Sequence, residues 1–142
     1  MHLDIVTPEK IVYSEDIEEL TVPTPQGEIS ILPEHVALVT RVSEGELIVK
    51  TKGKSQFLAV TGGFLQVQDD RITLLADYAI RSEEIDTQKV LEARKRAEEA
   101  LKKKREDMSE RDFTVAESEM RRAILELKIS NKRRKHTNIP GQ

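Results

Sequence analysis

The residues best able to ligate a metal or carry a proton are three histidines, His2, His35 and His136. They are scattered along the chain with no second ligand at metal-binding spacing, so no metal site is expected. The chain has no cysteine, which excludes thiolate chemistry and a disulfide framework. Two acidic neighbours, Glu18-Glu19 and Asp69-Asp70, fall where strands or turns are expected. Side chains adjacent in a strand point to opposite faces, so neither pair reads as an acid–base couple. No phosphate-binding Gly-Lys loop, nucleophile elbow or dinucleotide fingerprint occurs, and Gly62-Gly63 signals only a bulge. No constellation of catalytic roles can be assembled, and the chain is expected not to be an enzyme by itself. The groups left over are suited to docking. They are a carboxylate and an imidazole at a corner (Glu34, His35) and a basic series, Arg121, Arg122, Lys128, Arg133 and Arg134.

Two kinds of element must carry them. Residues 1 to about 81 alternate with a period of two and are cut by turn signals, which predicts eight to ten short strands in an antiparallel β-sandwich. The strands read as His2 to Val6, Lys10 to Tyr13, Ile17 to Val22, Gly27 to Leu32, a run from Val36, Glu46 to Thr51, Gln56 to Val60, Phe64 to Gln68 and Arg71 to Ala76. Pro33 ends the fourth because it lends no N–H to a ladder. Alternation points Leu3, Ile5, Ile17, Val22, Ile29, Ile31, Val39, Leu47, Val49, Leu58, Val60, Leu65, Val67, Ile72 and Leu74 inward. At about 1.5–3 kcal/mol for each such side chain buried, this half can fold alone. Lys50, Lys52 and Lys54 read as solvated edge residues that discourage strand pairing between molecules.

At Ser82 the period changes to 3.6. Ser82 and Asp86 are candidate N-caps for a first helix running to about Asp107, with an alanine-dominated stripe of Val90, Ala93, Ala97, Ala100 and Leu101. Met108 to Arg111 connects it to a second helix, about Phe113 to Arg133, whose stripe is Phe113, Ala116, Met120, Ala123, Ile124 and Leu127. A short loop between helices makes an antiparallel hairpin over 82–134, followed by a disordered tail over 135–142. Alanine buries little area, so this hairpin is expected to be held loosely, with its basic end unpaired within the chain.

Charge divides the same way. Residues 1–80 hold 6 Lys/Arg against 13 Asp/Glu, a balance of −7, while residues 81–142 hold 17 against 13, a balance of +4. An acidic body with a basic end suggests two different partners, the second one acidic. No apolar run approaches the ~20 residues a membrane span needs, so a soluble chain made without a signal peptide is expected.

Gly27-Glu28-Ile29-Ser30-Ile31-Leu32-Pro33-Glu34-His35 resembles the G-E-x-G-I-L-P-x-H signature of the epsilon subunit of bacterial F-type ATP synthases. Leu3 to Glu9 and Thr61-Gly62-Gly63-Phe64 are similar to that family's pattern too, and the match runs from Leu3 to about Ile129. Ser30 replaces the usual second Gly and Ala37 stands where the family has Pro, which implies a local adjustment of the corner. The resemblance implies a non-catalytic rotor subunit of the central stalk, peripheral on the cytoplasmic face of the cell inner membrane. Its sandwich would meet the gamma subunit and the polar loops of the c-ring, touching the membrane only through the complex. Its hairpin would lie folded or extend into the alpha/beta catalytic hexamer and block ATP hydrolysis. It places Glu28 towards the c-ring loops, His35 near gamma, and Arg121, Arg122, Lys128, Arg133 and Arg134 towards the catalytic head. Some members carry an ATP-binding (I/L)-D-x-x-R-A signature at the first helix. Here Ile85 and Asp86 fit, but Lys89 and Val90 replace Arg and Ala. Lysine lacks the planar fork that grips phosphate, so weak or no ATP binding is expected and no cofactor is implied.

A different class of function would be a nucleic-acid-binding module gripping phosphates with Lys128 to Lys135. The stretch has no aromatic residue for stacking and the body is acidic, so no nucleic-acid partner is expected. A small enzyme with a pocket in the sandwich is disfavoured by the missing constellation.

Overall fold

A computed structural model describes residues 1–102 and 109–137, with side chains described as far as residue 132. The chain divides into two compact units, Met1–Glu83 and Glu84–Gln142.

The first unit has ten strands: β1 (His2–Val6), β2 (Ile11–Asp16), β3 (Glu19–Thr24), β4 (Gly27–Ile31), β5 (Leu38–Val42), β6 (Gly45–Thr51), β7 (Lys54–Val60), β8 (Gly63–Gln68), β9 (Arg71–Ala76) and β10 (Ala79–Arg81). They form two five-stranded sheets, ordered β2-β1-β9-β8-β5 and β10-β7-β6-β3-β4. The sandwich follows from the alternation: the inward sides of both sheets converge on Leu3, Ile5, Leu20, Val22, Ile31, Leu47, Val49, Leu58, Val60, Leu65, Ile72 and Leu74, all 0% exposed. One ladder departs from the antiparallel expectation: β1 pairs β9 in parallel, because the chain re-enters beside its own first strand.

The expected core needs one substitution. Val39 is 74% exposed, while Val42 on the same strand is buried. β5 is an edge strand whose inward set is Leu38, Thr40 and Val42, so its phase is set by pairing with β8 and not by its most apolar run. Tyr13 and Leu20 join the core as well.

Hairpin turns account for the tight corners. Asp69 and Asp70 both sit at positive φ (53° and 61°), as a two-residue turn between β8 and β9 requires. Gly63, φ +156°, begins β8 with its Cα so close to β9 that an added Cβ would lie 2.2 Å from the Leu75 carbonyl oxygen. No other residue fits there.

The second unit holds α1 (Thr87–Lys102) and α2 (Glu110–Thr137), two packed helices. Thr87 at the start of α1 meets Ser130 late in α2, hydroxyl to hydroxyl at 3.4 Å, so the pair is antiparallel. Asp86 caps α1 by accepting from the Gln88 and Lys89 amides (3.1 and 3.3 Å), and Ser109 caps α2 by accepting from the Asp112 amide at 3.1 Å. Ser82 is not a cap; it opens a single 3-10 turn, Ser82–Glu84. The expected end of α1 near Asp107 lies outside the described residues. α2 continues to Thr137, three residues into the stretch expected to be disordered, and the rest of that stretch lies outside the described residues.

On α2 the expected stripe is only partly right. Ala116, Ala123 and Leu127 are buried, but Ile124 is 47% exposed, while Leu125 and Ile129 are buried. Ala123 and Ile124 lie about 100° apart on a helix, and the closely packed seam takes the smaller one. Ile124 is thereby turned onto the arc that carries Arg121 and Lys128.

Candidate functional site

The outward face of the β2-β1-β9-β8-β5 sheet is banded. Strand register places residues in three cross-strand rows. Asp16, His2, Arg71 and Gln68 form the first; Ser14, Asp4, Thr73, Gln66 and Val39 the second; Ile11, Val6, Leu75, Phe64 and Arg41 the third. The first two rows are tied by polar contacts. The His2 ring lies between Asp16 (2.8 Å) and Asp4 (3.3 Å), and the Ser14 hydroxyl donates to Asp4 at 2.6 Å. The Arg71 guanidinium donates to Asp4 at 2.9 Å. The Ser14 hydrogen bond, followed by that from Arg71, holds the Asp4 carboxyl below the usual aspartate range. The third row is apolar and open: Ile11, Phe64 and Leu75 are each more than half exposed, with Val39 beside them. Large apolar side chains lined up across four strands of a small domain make this face a candidate docking surface.

The signature corner sits where β4, at the edge of one sheet, crosses over to β5, at the edge of the other. Glu34 takes the left-handed conformation (φ 65°), and its amide donates to Asp70 at 3.1 Å. The Met1 ammonium reaches the other oxygen of Asp70 at 3.3 Å. The Glu34 amide first, and then that ammonium, pull the Asp70 carboxyl below its ordinary value. The His35 amide bonds back to Leu32 O at 3.2 Å, and its Nδ1 donates to Val36 O at 2.8 Å. His35 is therefore a half-buried, internally bonded ring, where an exposed imidazole was expected. Beside it Leu32 (53%) and Val36 (76%) are exposed. Glu28 is exposed near the start of β4, opposite Pro23, at the other end of that strand from His35. The structure thus does not bring Glu28 and His35 together at one point. Ser30, the departure from the signature, hydrogen-bonds Thr21 across the strand pair at 3.1 Å, so the serine is absorbed without breaking β4.

In the helical unit Ile85 is buried, and Asp86 and Lys89 are exposed. The Asp86 carboxylate already occupies the helix N-terminus that a phosphate would need. Arg121 and Lys128 are exposed one heptad apart on α2. Arg122, expected to be unpaired, lies 3.7 Å from Glu126, a buried carboxylate one turn away. Arg133 and Arg134 lie within α2, but their side chains are outside the described residues.

The apolar row went unread in the sequence, where Phe64 and Leu75 count only as strand residues. The two-residue Asp69-Asp70 turn holds the missing signal, because it sets Phe64 opposite Leu75.

The described residues thus comprise a β-sandwich with an open apolar band on one sheet and a pair of antiparallel helices. Residues 1–82 match the family model for the ATP synthase Delta/Epsilon chain, beta-sandwich domain, and residues 83–131 that for its long alpha-helix domain. The chain belongs to the ATP synthase delta/epsilon chain family. It is 43% identical over 141 residues to an ATP synthase epsilon chain of Dehalococcoides mccartyi, with 98% of each chain covered. It is 45% identical over 128 residues to that of Desulforamulus reducens, with 90% of this chain and 95% of the relative covered. Two cryo-EM structures share the fold. One is of the Euglena gracilis mitochondrial ATP synthase, OSCP/F1/c-ring in rotational state 1 (TM-score 0.60, 22% identity, 96% of this chain and 80% of that one). The other is of the Tetrahymena thermophila mitochondrial ATP synthase, central stalk/c-ring (TM-score 0.56, 18% identity, 92% and 96%).

Proposed function

We propose that the chain is a non-catalytic central-stalk subunit of a proton-translocating ATP synthase, coupling rotor parts and restraining ATP hydrolysis. The observation that carries the reading is the open apolar row Ile11, Val6, Leu75 and Phe64, which buries its area only when another protein covers it. In this reading that row meets the gamma subunit. Glu28 on the edge strand and His35 at the corner then lie on the rotor side, where the polar loops of the c-ring pass. The complex is peripheral on the cytoplasmic face of the cell inner membrane; among the described residues no helix is long and apolar enough to cross a bilayer.

The hairpin supplies regulation. Arg121 and Lys128, with Ile124 on the same arc, form a basic and partly apolar strip facing solvent. An acidic surface on the alpha/beta catalytic hexamer would bind it and hold the hairpin in one of two states. Arg122, Arg133 and Arg134 extend the same basic end. ATP is at most a weak ligand at Ile85, Asp86 and Lys89.

Two changes test the two halves separately. Phe64→Glu places a charge in the apolar row and should abolish co-purification with gamma while leaving the sandwich folded. Truncation before Ser82 should leave co-purification intact and raise ATP hydrolysis by the assembled complex. Retained binding in the first case, or unchanged hydrolysis in the second, overturns the corresponding half.

A further inference from the structure

β7 is longer than the strand beside it. β10 pairs with it at only three positions, Ala79 opposite Val60, Ile80 opposite Ala59 and Arg81 opposite Leu58. β7 begins four residues earlier, at Lys54, and over Lys54–Phe57 no strand among the described residues lies on the side away from β6. The chain leaves this edge at Ser82 by turning into the single 3-10 turn, and a notch of about 90 Å³ opens between the two segments. Its walls are Ser55, Gln56 and Phe57 on one side and Arg81, Ser82 and Glu83 on the other.

The walls are the residues that would pair if β10 simply continued. The antiparallel register carries on as Ser82 opposite Phe57 and Glu83 opposite Gln56. One further feature fits that closure. Arg81 lies 5.0 Å over the Tyr13 ring and has no ion pair among the described residues. In an extended strand Glu83 points to the same side as Arg81, two residues away, and towards the Gln56 amide. The guanidinium then gains a carboxylate.

We propose that residues 82–83 form a strap with two states, the 3-10 turn seen here and a zipped state that lengthens β10 by two pairs along β7. The chain rises about 2.0 Å per residue in a 3-10 turn and about 3.3 Å in a strand. Zipping therefore changes both the reach and the exit direction of the segment leading into the helical unit. As a regulator of the hairpin this rests on the function proposed above; the pairing itself does not.

The chain has no native cysteine, so paired cysteines report on the strap cleanly. In the full chain Gln56→Cys with Glu83→Cys is compared with the same pair one residue out of register, Gln56→Cys with Ser82→Cys, under mild diamide oxidation. Directly opposed strand residues meet disulfide geometry and slipped ones do not, so the first pair should close faster by on the order of tenfold. Ser82→Pro suits the first position of a 3-10 turn but removes the N–H and locks φ, so adding it to the first pair should slow its closure to the rate of the second. Hydrogen exchange on the cysteine-free chain gives an independent measure: the amide of residue 57, which faces residue 82 in the zipped register, should exchange more slowly in the native chain than in Ser82→Pro. Equal closure of the two pairs, or equal exchange in the two chains, overturns the strap. Neither result depends on gamma, the catalytic head or ATP hydrolysis, so failure here leaves the proposed function standing.

Discussion

The sandwich and the hairpin are stabilised by different means. In the sandwich, aliphatic side chains from two sheets reach zero exposure, and ladders tie residues far apart in sequence, such as Leu3 and Ile72. On α1 the buried residues are only Val90 and Ala97. Alanine permits close approach of two helices but removes little apolar area from water. Per residue ordered, the sandwich gains far more than α1 does. The two-state hairpin of the proposed function needs a small energy gap, and the small side chains that α1 buries would help to keep it small.

That contrast can be broken from either side. The largest effect should come from Gly63→Ala, since its methyl would overlap the Leu75 carbonyl and the strand junction would have to move. Backbone strain and lost pairing should cost the sandwich several kcal/mol, about 3 or more. Denaturant melts followed on sandwich residues measure it. Leu47→Ala is a second route to the same end, at about 2–5 kcal/mol for a fully buried leucine. If neither exceeds about 1 kcal/mol, the sandwich is not the rigid half.

On the other side, Ala97→Leu inserts bulk into a 1% exposed site on α1. Overpacking of this kind costs about 1–3 kcal/mol, which should open a marginal hairpin and leave the sandwich melt unchanged. Faster hydrogen exchange confined to α1 and α2 would show it. Asp86→Ala removes the N-cap of α1 at a cost of about 1 kcal/mol, with the same locality.

How far these halves could be read in advance differs for a physical reason. The alternation in Leu3 to Ile5, Leu47 to Val49 and Ile72 to Leu74 names the inward set because a strand has only two faces. It fails at Val39, where the apolar run Val36-Ala37-Leu38-Val39 leading into an edge strand offers two phases and the partner strand decides between them. The change of period at Ser82 places the helices, but it puts Ile124 wrongly in the inward stripe, since helical spacing admits both it and Ala123 there. The site was least legible. Phe64 and Leu75 become a surface only through register, and Glu28 and His35, seven residues apart, end up with Glu28 near the start of β4 and His35 beyond its end.

Acid titration gives the smallest effect and sharpens the contrast chemically. Asp4 and Asp70 have folded pKa values below the aspartate reference of 3.8, Asp4 through the Ser14 and Arg71 hydrogen bonds and Asp70 through the Glu34 amide. A depressed carboxyl contributes stability that is present above the unfolded value and is lost as pH falls through the folded one. The sandwich should therefore weaken below about pH 4, progressively and modestly, because both carboxylates are close to solvent. Asp4→Asn removes one such contribution, so its deficit against the native chain should be full near neutral pH and vanish in acid. Tyr13 gives the alkaline counterpart: burial pushes its hydroxyl up to about 12, so its share of stability is present below pH 10 and disappears as pH rises to about 12. Melts of the native chain, Asp4→Asn and Tyr13→Phe across pH 2 to 12 would test both limbs. A deficit in Asp4→Asn that persists undiminished in acid would mean that its cost is packing and not charge.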